Sequence, residues 1–139
     1  MLCTKILVPY DGSELAQKSL EKAIMIASSD QTIKIEVLHV VSIPVHTVLD
    51  NLQAVEDAIY QDGKEVLGKA KLALSTLPNF YQTFLLEGSP AHLILNHAKE
   101  HHCDLIIMGS RGLTGIKEFL GSVSHTVVQH AQVPVLIVK

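Results

Sequence analysis

The chain has only two cysteines, a single arginine and no long apolar run, and each shortage narrows what it can be. Cys3 and Cys103 lie a hundred positions apart and form no Cys-x-x-Cys pair. They read as small core residues in a reducing compartment, so the cytoplasm is the expected location. No apolar stretch approaches the ~18 residues that a membrane helix requires. Met1-Leu-Cys-Thr-Lys5 leads straight into a strand-length run, without the basic region and long apolar core of a signal peptide. A net charge of −3 and the absence of a dense Lys/Arg cluster leave no basic field to attract nucleic acid. Neither nucleic acid nor a membrane is an expected partner.

Several chemical signatures are missing as well. No glycine precedes Lys-Ser or Lys-Thr as in a Walker A loop, and no Gly-x-Gly-x-x-Gly follows the first strand. Neither Ser122 nor Ser124 sits in Gly-x-Ser-x-Gly, which removes the nucleophile elbow of the hydrolases. His97 and His101 stand at helical i, i+4 spacing near His102 and Asp104, yet no His-Glu-x-x-His pattern accompanies them. They read as a polar face turned to water, and no metal site is expected.

What is present is a regular alternation of strands and helices. With 139 residues, 47% of them apolar and 18% charged, residues 1–139 are expected to form one domain around one core. Lys5-Ile-Leu-Val-Pro9 is a short apolar strand that stops at Tyr10-Asp11-Gly12-Ser13 and feeds a helix from Glu14 to Ala27. Ile33 to Val41 is a second strand, and Leu52 to Leu77 a long helix ending before Pro78, with Gly63 and Gly68 as possible breaks. Phe80 to Leu86 forms a third strand. Ser89 then caps a helix that has Pro90 in its first turn and runs through His101. Asp104-Leu-Ile-Ile-Met108 is a buried fourth strand, Ser122 to Ala131 a last helix, and Pro134 to Val138 a fifth strand. This β-α-β-α-β-α-β-α-β order, with crossovers long enough for parallel strands, predicts an α/β fold: an open parallel sheet with helices on both faces. Ligands of such sheets bind beyond the carboxyl ends of the strands, where the strand order reverses.

The loop after the fourth strand carries the strongest signal. Met108-Gly-Ser-Arg-Gly112 is followed, after Leu113 to Leu120, by Gly121-Ser-Val-Ser124. Gly109 and Gly112 admit a ligand close to the backbone, and Gly121-Ser122 opens a helix whose free N–H groups and dipole favour an anion such as phosphate. Ser122 and Ser124 add hydroxyls, and Arg111, the only arginine, lies between the two loop glycines. Asp11, ending the first strand, has two readings: acceptor for an adenine amino group or ribose, or N-cap of the first helix, a task for which Ser13 competes. Val40, ending the second strand, is either an apolar wall of the site or simply core.

Taken in order, Pro9-Tyr10-Asp11, Leu38-His39-Val40, Gly88-x-Pro90-Ala91, Asp104 to Gly112, Gly121-Ser122 and Pro134 to Val138 closely resemble the universal stress protein family over essentially the whole chain. The resemblance implies a Rossmann-like sheet of the adenine nucleotide alpha hydrolase type with strand order 3-2-1-4-5, and a homodimer joined through Val133 to Val138. It also implies the glycine-motif branch that binds ATP, with or without Mg²⁺. By that resemblance Asp11 meets adenine, Val40 also lines the base, Gly109 and Gly112 approach ribose and phosphate, and Gly121, Ser122, Val123 and Ser124 hold the phosphates. Pro9, Tyr10 and Met108 join them as candidate binding residues, as does Arg111, whose other reading is a solvent-exposed side chain. One departure stands out: the spacer from Leu113 to Leu120 is one residue shorter than the family pattern. The expected function is that of an ATP-binding, nucleotide-responsive stress or regulatory protein rather than a true enzyme. Two alternatives stay open: an interaction module of the same fold without nucleotide, and a slow ATPase or autophosphorylating protein using Ser122 or Ser124. No general base is assigned for the latter, Asp11 being committed to the base and Glu118 unplaced.

Overall fold

The computed structural model describes residues 3–44, 52–111 and 120–139. Nine elements alternate in the order β1 (Lys5–Pro9), α1 (Glu14–Ala27), β2 (Lys34–Val41), α2 (Leu52–Leu74), β3 (Tyr81–Glu87), α3 (Pro90–Glu100), β4 (Leu105–Gly109), α4 (Ser122–His130) and β5 (Val135–Val138). The five strands form one sheet of order β3-β2-β1-β4-β5, and every neighbouring pair is parallel. This is the expected α/β architecture.

The alternation of side chains along each strand sorts the apolar residues between two cores. Ile6, Val8, Ile35, Val37 and Ile107 pack beneath α1 and α2, which contribute Leu20, Ala23, Leu67 and Leu74. Leu7, Leu38, Ile106 and Met108 pack on the other face beneath α3 and α4, against Ile94, Ala98 and Val127. Both faces are covered, which is why the strands read as nearly continuous apolar runs.

Several boundaries fall differently from the sequence expectations, for identifiable reasons. α2 is uninterrupted at its glycines but stops at Leu74, short of Leu77. Gly63 is a packing residue: a Cβ there would lie 2.8 Å from Leu85 Cδ1, so its absence lets the helix settle on β2 and β3. β3 begins at Tyr81 because Phe80 turns outward, although its carbonyl still accepts from the Ile35 N–H. Asp104 precedes β4 rather than opening it. Its carboxylate accepts from the N–H groups of Thr4 and Lys5 and from the Thr4 hydroxyl (2.7 Å), tying the start of β1 to the start of β4.

The end of α3 is a Schellman turn. The N–H of His102 reaches the carbonyl of Lys99 and that of Cys103 reaches Ala98, with His102 in the left-handed region at φ 55°. Buried Asn79 joins the α1-to-β2 and α2-to-β3 connections, the two hydrogens of its side-chain amide shared among the carbonyls of Ala27, Asp30 and Ile33 at 2.7–2.9 Å.

Candidate functional site

β1 and β4 are neighbours at the point where the strand order reverses, so the segments leaving their carboxyl ends, Tyr10–Ser13 and Ser110 onward, flank one crevice. The two segments are built differently.

Beyond β1, the Tyr10 N–H continues the ladder to the carbonyl of Leu38, and the Tyr10 ring is buried in the α1/α2 core with its hydroxyl on Gln17 Oε1 at 2.8 Å. Burial, with the Asp11 charge adding to it, raises the pKa of that phenol. Tyr10 therefore supplies backbone to the crevice while its side chain holds α1. Asp11 is not the N-cap. Ser13 takes that position, accepting the Ala16 N–H at 3.1 Å, while Asp11 Oδ1 accepts the Ser13 N–H at 2.9 Å across Gly12, whose φ of 81° suits glycine. The capping alternative is thereby removed, and a half-buried carboxylate is fixed at the end of β1. Val40 is half-buried against the α3/α4 core beside it on β2.

Beyond β4, the residues form a clasp. The Ser110 N–H bonds to the carbonyl of Val138, and the Ser110 carbonyl accepts both the Gly121 N–H at 2.6 Å and the Ser124 hydroxyl at 2.7 Å. The Ser124 hydroxyl also lies 3.0 Å from the carbonyl of Gly121 and is almost fully buried. A Cβ on Gly121 would stand 3.3 Å from Arg111 Cα, so glycine lets α4 begin directly against the strand's continuation. The two ends of the loop thus meet despite the short spacer. Gly112 and residues 113–119 lie outside the described residues.

This arrangement reassigns several side chains. Gly109 faces no open space: a Cβ there would come within 2.8 Å of Leu15 Cβ, so its missing side chain admits the first turn of α1. Met108 and Val123 pack into the α3/α4 core. What α4 offers to its front is its first turn: the helix's first bond runs from the His125 N–H to the Gly121 carbonyl, leaving the N–H groups of Ser122, Val123 and Ser124 without intrahelical partners. Among the described residues no side chain caps them, and the Ser122 side chain is exposed. Pro9 and Arg111 are half-buried at the two strand ends.

Comparison with known proteins decides the family. The universal stress protein family model matches residues 3–139. The chain belongs to the universal stress protein family. Universal stress protein YxiE of Bacillus subtilis is 37% identical, over 97% of this chain and 98% of its own length. UspA of Lactobacillus plantarum, a solved structure, superposes with a TM-score of 0.85 at 30% identity, covering 98% of this chain and 97% of the other. An Arabidopsis thaliana family protein solved with AMP bound shares the fold, with a TM-score of 0.75 at 22% identity over 98% of this chain and 91% of its own.

Two features escaped the sequence reading. Ser110 is the hub of the clasp, and a small polar residue straight after a buried strand was its only signal. The larger miss is the polar face assigned to His97 and His101. His97 is 4% exposed and its Nε2 lies 2.7 Å from Glu36 Oε1, on a carboxylate that is itself 4% exposed. Glu36 lies near the start of β2, where α3 covers it through His97. Burial lowers the pKa of His97, a shift that the hydrogen bond to Glu36 opposes. Among the described residues no helix is long and apolar enough to cross a membrane.

Proposed function

We propose that this family member binds ATP across the carboxyl ends of β1 and β4. The observation that carries the reading is the clasp of Ser110 to Gly121 and Ser124, which holds the start of α4 beside the end of β4, on the side where Asp11 leaves β1. Triphosphate oxygens match the three N–H groups of Ser122, Val123 and Ser124 together with the Ser122 hydroxyl, and the helix dipole adds about 0.3–1 kcal/mol. The Ser124 side chain braces the turn and does not itself bind. Asp11 accepts from the adenine amino group or the ribose, Val40 lines the base, and the main chain of Pro9, Tyr10, Met108 and Gly109 supplies the walls. Arg111 and Gly112 approach the ribose and phosphates, with Mg²⁺ shared among the phosphates when it is present. The AMP-bound relative supports the reading at the level of the fold.

The nucleotide acts as a ligand that sets the state of a homodimer joined along β5, in the reducing cytoplasm, with residues 1–139 as its single domain. This reading favours a binding protein over an enzyme. Ser124 is buried with its proton committed, so autophosphorylation would fall to Ser122, the exposed serine of the pair. Mass spectrometry of small molecules released by denaturing freshly purified protein tests the reading: an adenine nucleotide is expected, and another ligand class released in stoichiometric amount overturns it.

A further inference from the structure

At the amino-terminal end of the sheet, opposite the clasp, a second polar cluster lies under α3. Glu36 projects from β2 into the α3/α4 face, where its Oε1 meets His97 Nε2 at 2.7 Å and His101 Nδ1 at 3.2 Å. The Cys103 thiol completes the group, and the donor atoms of Glu36, His97 and Cys103 all lie within 4.8 Å of one another. All three residues are buried, and a carboxylate, an imidazole and a thiol are a costly set to bring together for packing alone.

We propose that Glu36, His97 and Cys103 form a binding site for a zinc-like divalent cation, with His101 closing the fourth position on the solvent side. The mixed oxygen, nitrogen and sulfur donors suit a borderline-soft ion of tetrahedral preference. Zinc bonds of about 2.0–2.3 Å put neighbouring ligand atoms roughly 3.2–3.8 Å apart, so the thiol needs to close by no more than about 1 Å while the short Glu36–His97 contact opens. The two imidazoles come from one helix face at i, i+4 spacing, and their rings stack 3.8 Å apart at 10°, so His101 tilts to aim its lone pair at the ion.

The surroundings are organised as an outer shell. Lys5 Nζ stands 3.3 Å from Glu36 Oε2 and donates to the His101 carbonyl at 2.9 Å, holding both the carboxylate and the end of α3. Phe84 packs edge-on against both rings. The Schellman turn at His102 reverses the chain so that Cys103 lies back beneath α3. An access route exists: the His101 side chain is 35% exposed, and Cys103 also borders a groove of about 470 Å³ between α3 and α4.

Without metal the thiol is protonated, its pKa pushed up to about 12 by burial and then by the Glu36 charge. Binding replaces the S–H bond with a metal–sulfur bond and sends that proton to solvent. The His97 Nε2–H that faces Glu36 and the His101 Nδ1–H beside it are released as each ring takes a proton on its other nitrogen, so both imidazoles stay neutral and the net loss is one proton per ion, that of the thiol. The dication is balanced by the thiolate and the carboxylate.

Titrating the metal-free protein with Co²⁺ tests this, because cobalt bound to a thiolate in a tetrahedral site shows a charge-transfer band and intense d–d bands. One equivalent per chain is expected to develop both, and Zn²⁺ to abolish them. Cys103→Ala is expected to lose the charge-transfer band and Cys3→Ser to keep it, with circular dichroism checking that each is folded. His97→Gln provides a second loss that does not touch the thiol. No charge-transfer band in the wild type, or one that persists in Cys103→Ala, overturns the site; cobalt held only by surface histidines gives the former result.

Discussion

A serine hydroxyl has one proton to give, and Ser124 directs its proton to the carbonyls of Ser110 and Gly121. Sequence pattern places this serine among phosphate ligands; in the structure its hydroxyl holds the first turn of α4 to Ser110. Gly109 carries a similar lesson, since its missing Cβ makes room for Leu15 rather than for a ligand. Gly109→Ala is therefore expected to lower stability by about 1–3 kcal/mol through overpacking against α1, with nucleotide absent. Urea denaturation of the nucleotide-free protein reads this, and an unchanged midpoint would show that α1 can yield at no cost. Asp11 was legible only as a choice between two roles. Its sequence position fits either, and the three-dimensional fact that Ser13 holds the cap separates them. The buried Glu36–His97 pair was not legible, because a carboxylate in an apolar strand reads as an exposed edge until the helix covering it is known.

At the scale of elements, periodicity located all nine, since buried strands and amphipathic helices carry their patterns locally. Their ends were less legible, because ends are set by contacts from elsewhere in the chain. Asp104 shows this: the start of β4 is fixed by Thr4 and Lys5, a hundred residues away. Partial burial opposes ionisation of Asp104, but the Thr4 hydroxyl and the N–H groups of Lys5 and Thr4 outweigh it and hold the carboxyl below its ordinary value. A depressed folded-state pKa means the tether contributes fully above the unfolded pKa, about 3.9, and fades as pH falls through the lower folded value. Asp104→Asn is thus expected to be destabilising at neutral pH, with the difference from wild type shrinking under acid conditions below about pH 4. Denaturation midpoints across that range measure it, and a difference independent of pH would contradict the charge-based tether.

α4 invites a cleaner experiment. Ser122 is its first residue and follows Gly121 at φ −64° and ψ 163°, an extended geometry that a following proline accepts. Ser122→Pro removes an N–H donor and a hydroxyl while leaving the helix start intact, and Ser122→Ala removes the hydroxyl alone. The pair separates backbone from side-chain contributions to phosphate binding without disturbing the clasp at Ser110.

At the scale of the whole sheet, the described residues leave β3 and β5 as its edge strands. On β5, Val135 and Ile137 pack inward while Leu136 remains 42% exposed. An apolar edge strand of this kind is a template for pairing with a second chain. If the proposed dimer forms there, Leu136→Lys is expected to convert it to monomer with the helical signal retained. Sedimentation equilibrium decides, and a wild-type mass of one chain would remove β5 from the account. The strand order was legible through family resemblance, whereas composition and periodicity gave only parallel strands in an open sheet. Two polar sites then occupy opposite ends of that sheet, the clasp at the carboxyl ends and the Glu36 cluster at the amino ends.

The central claim is nucleotide binding at the clasp, and isothermal titration of ATP with Mg²⁺ into nucleotide-free protein tests it most directly. The account predicts saturable binding at one site per chain, weakened roughly 10- to 150-fold by Ser122→Pro, the loss of a charged hydrogen bond being about 1.5–3 kcal/mol. Absence of binding at millimolar ATP, or affinity unchanged in Ser122→Pro, would contradict it.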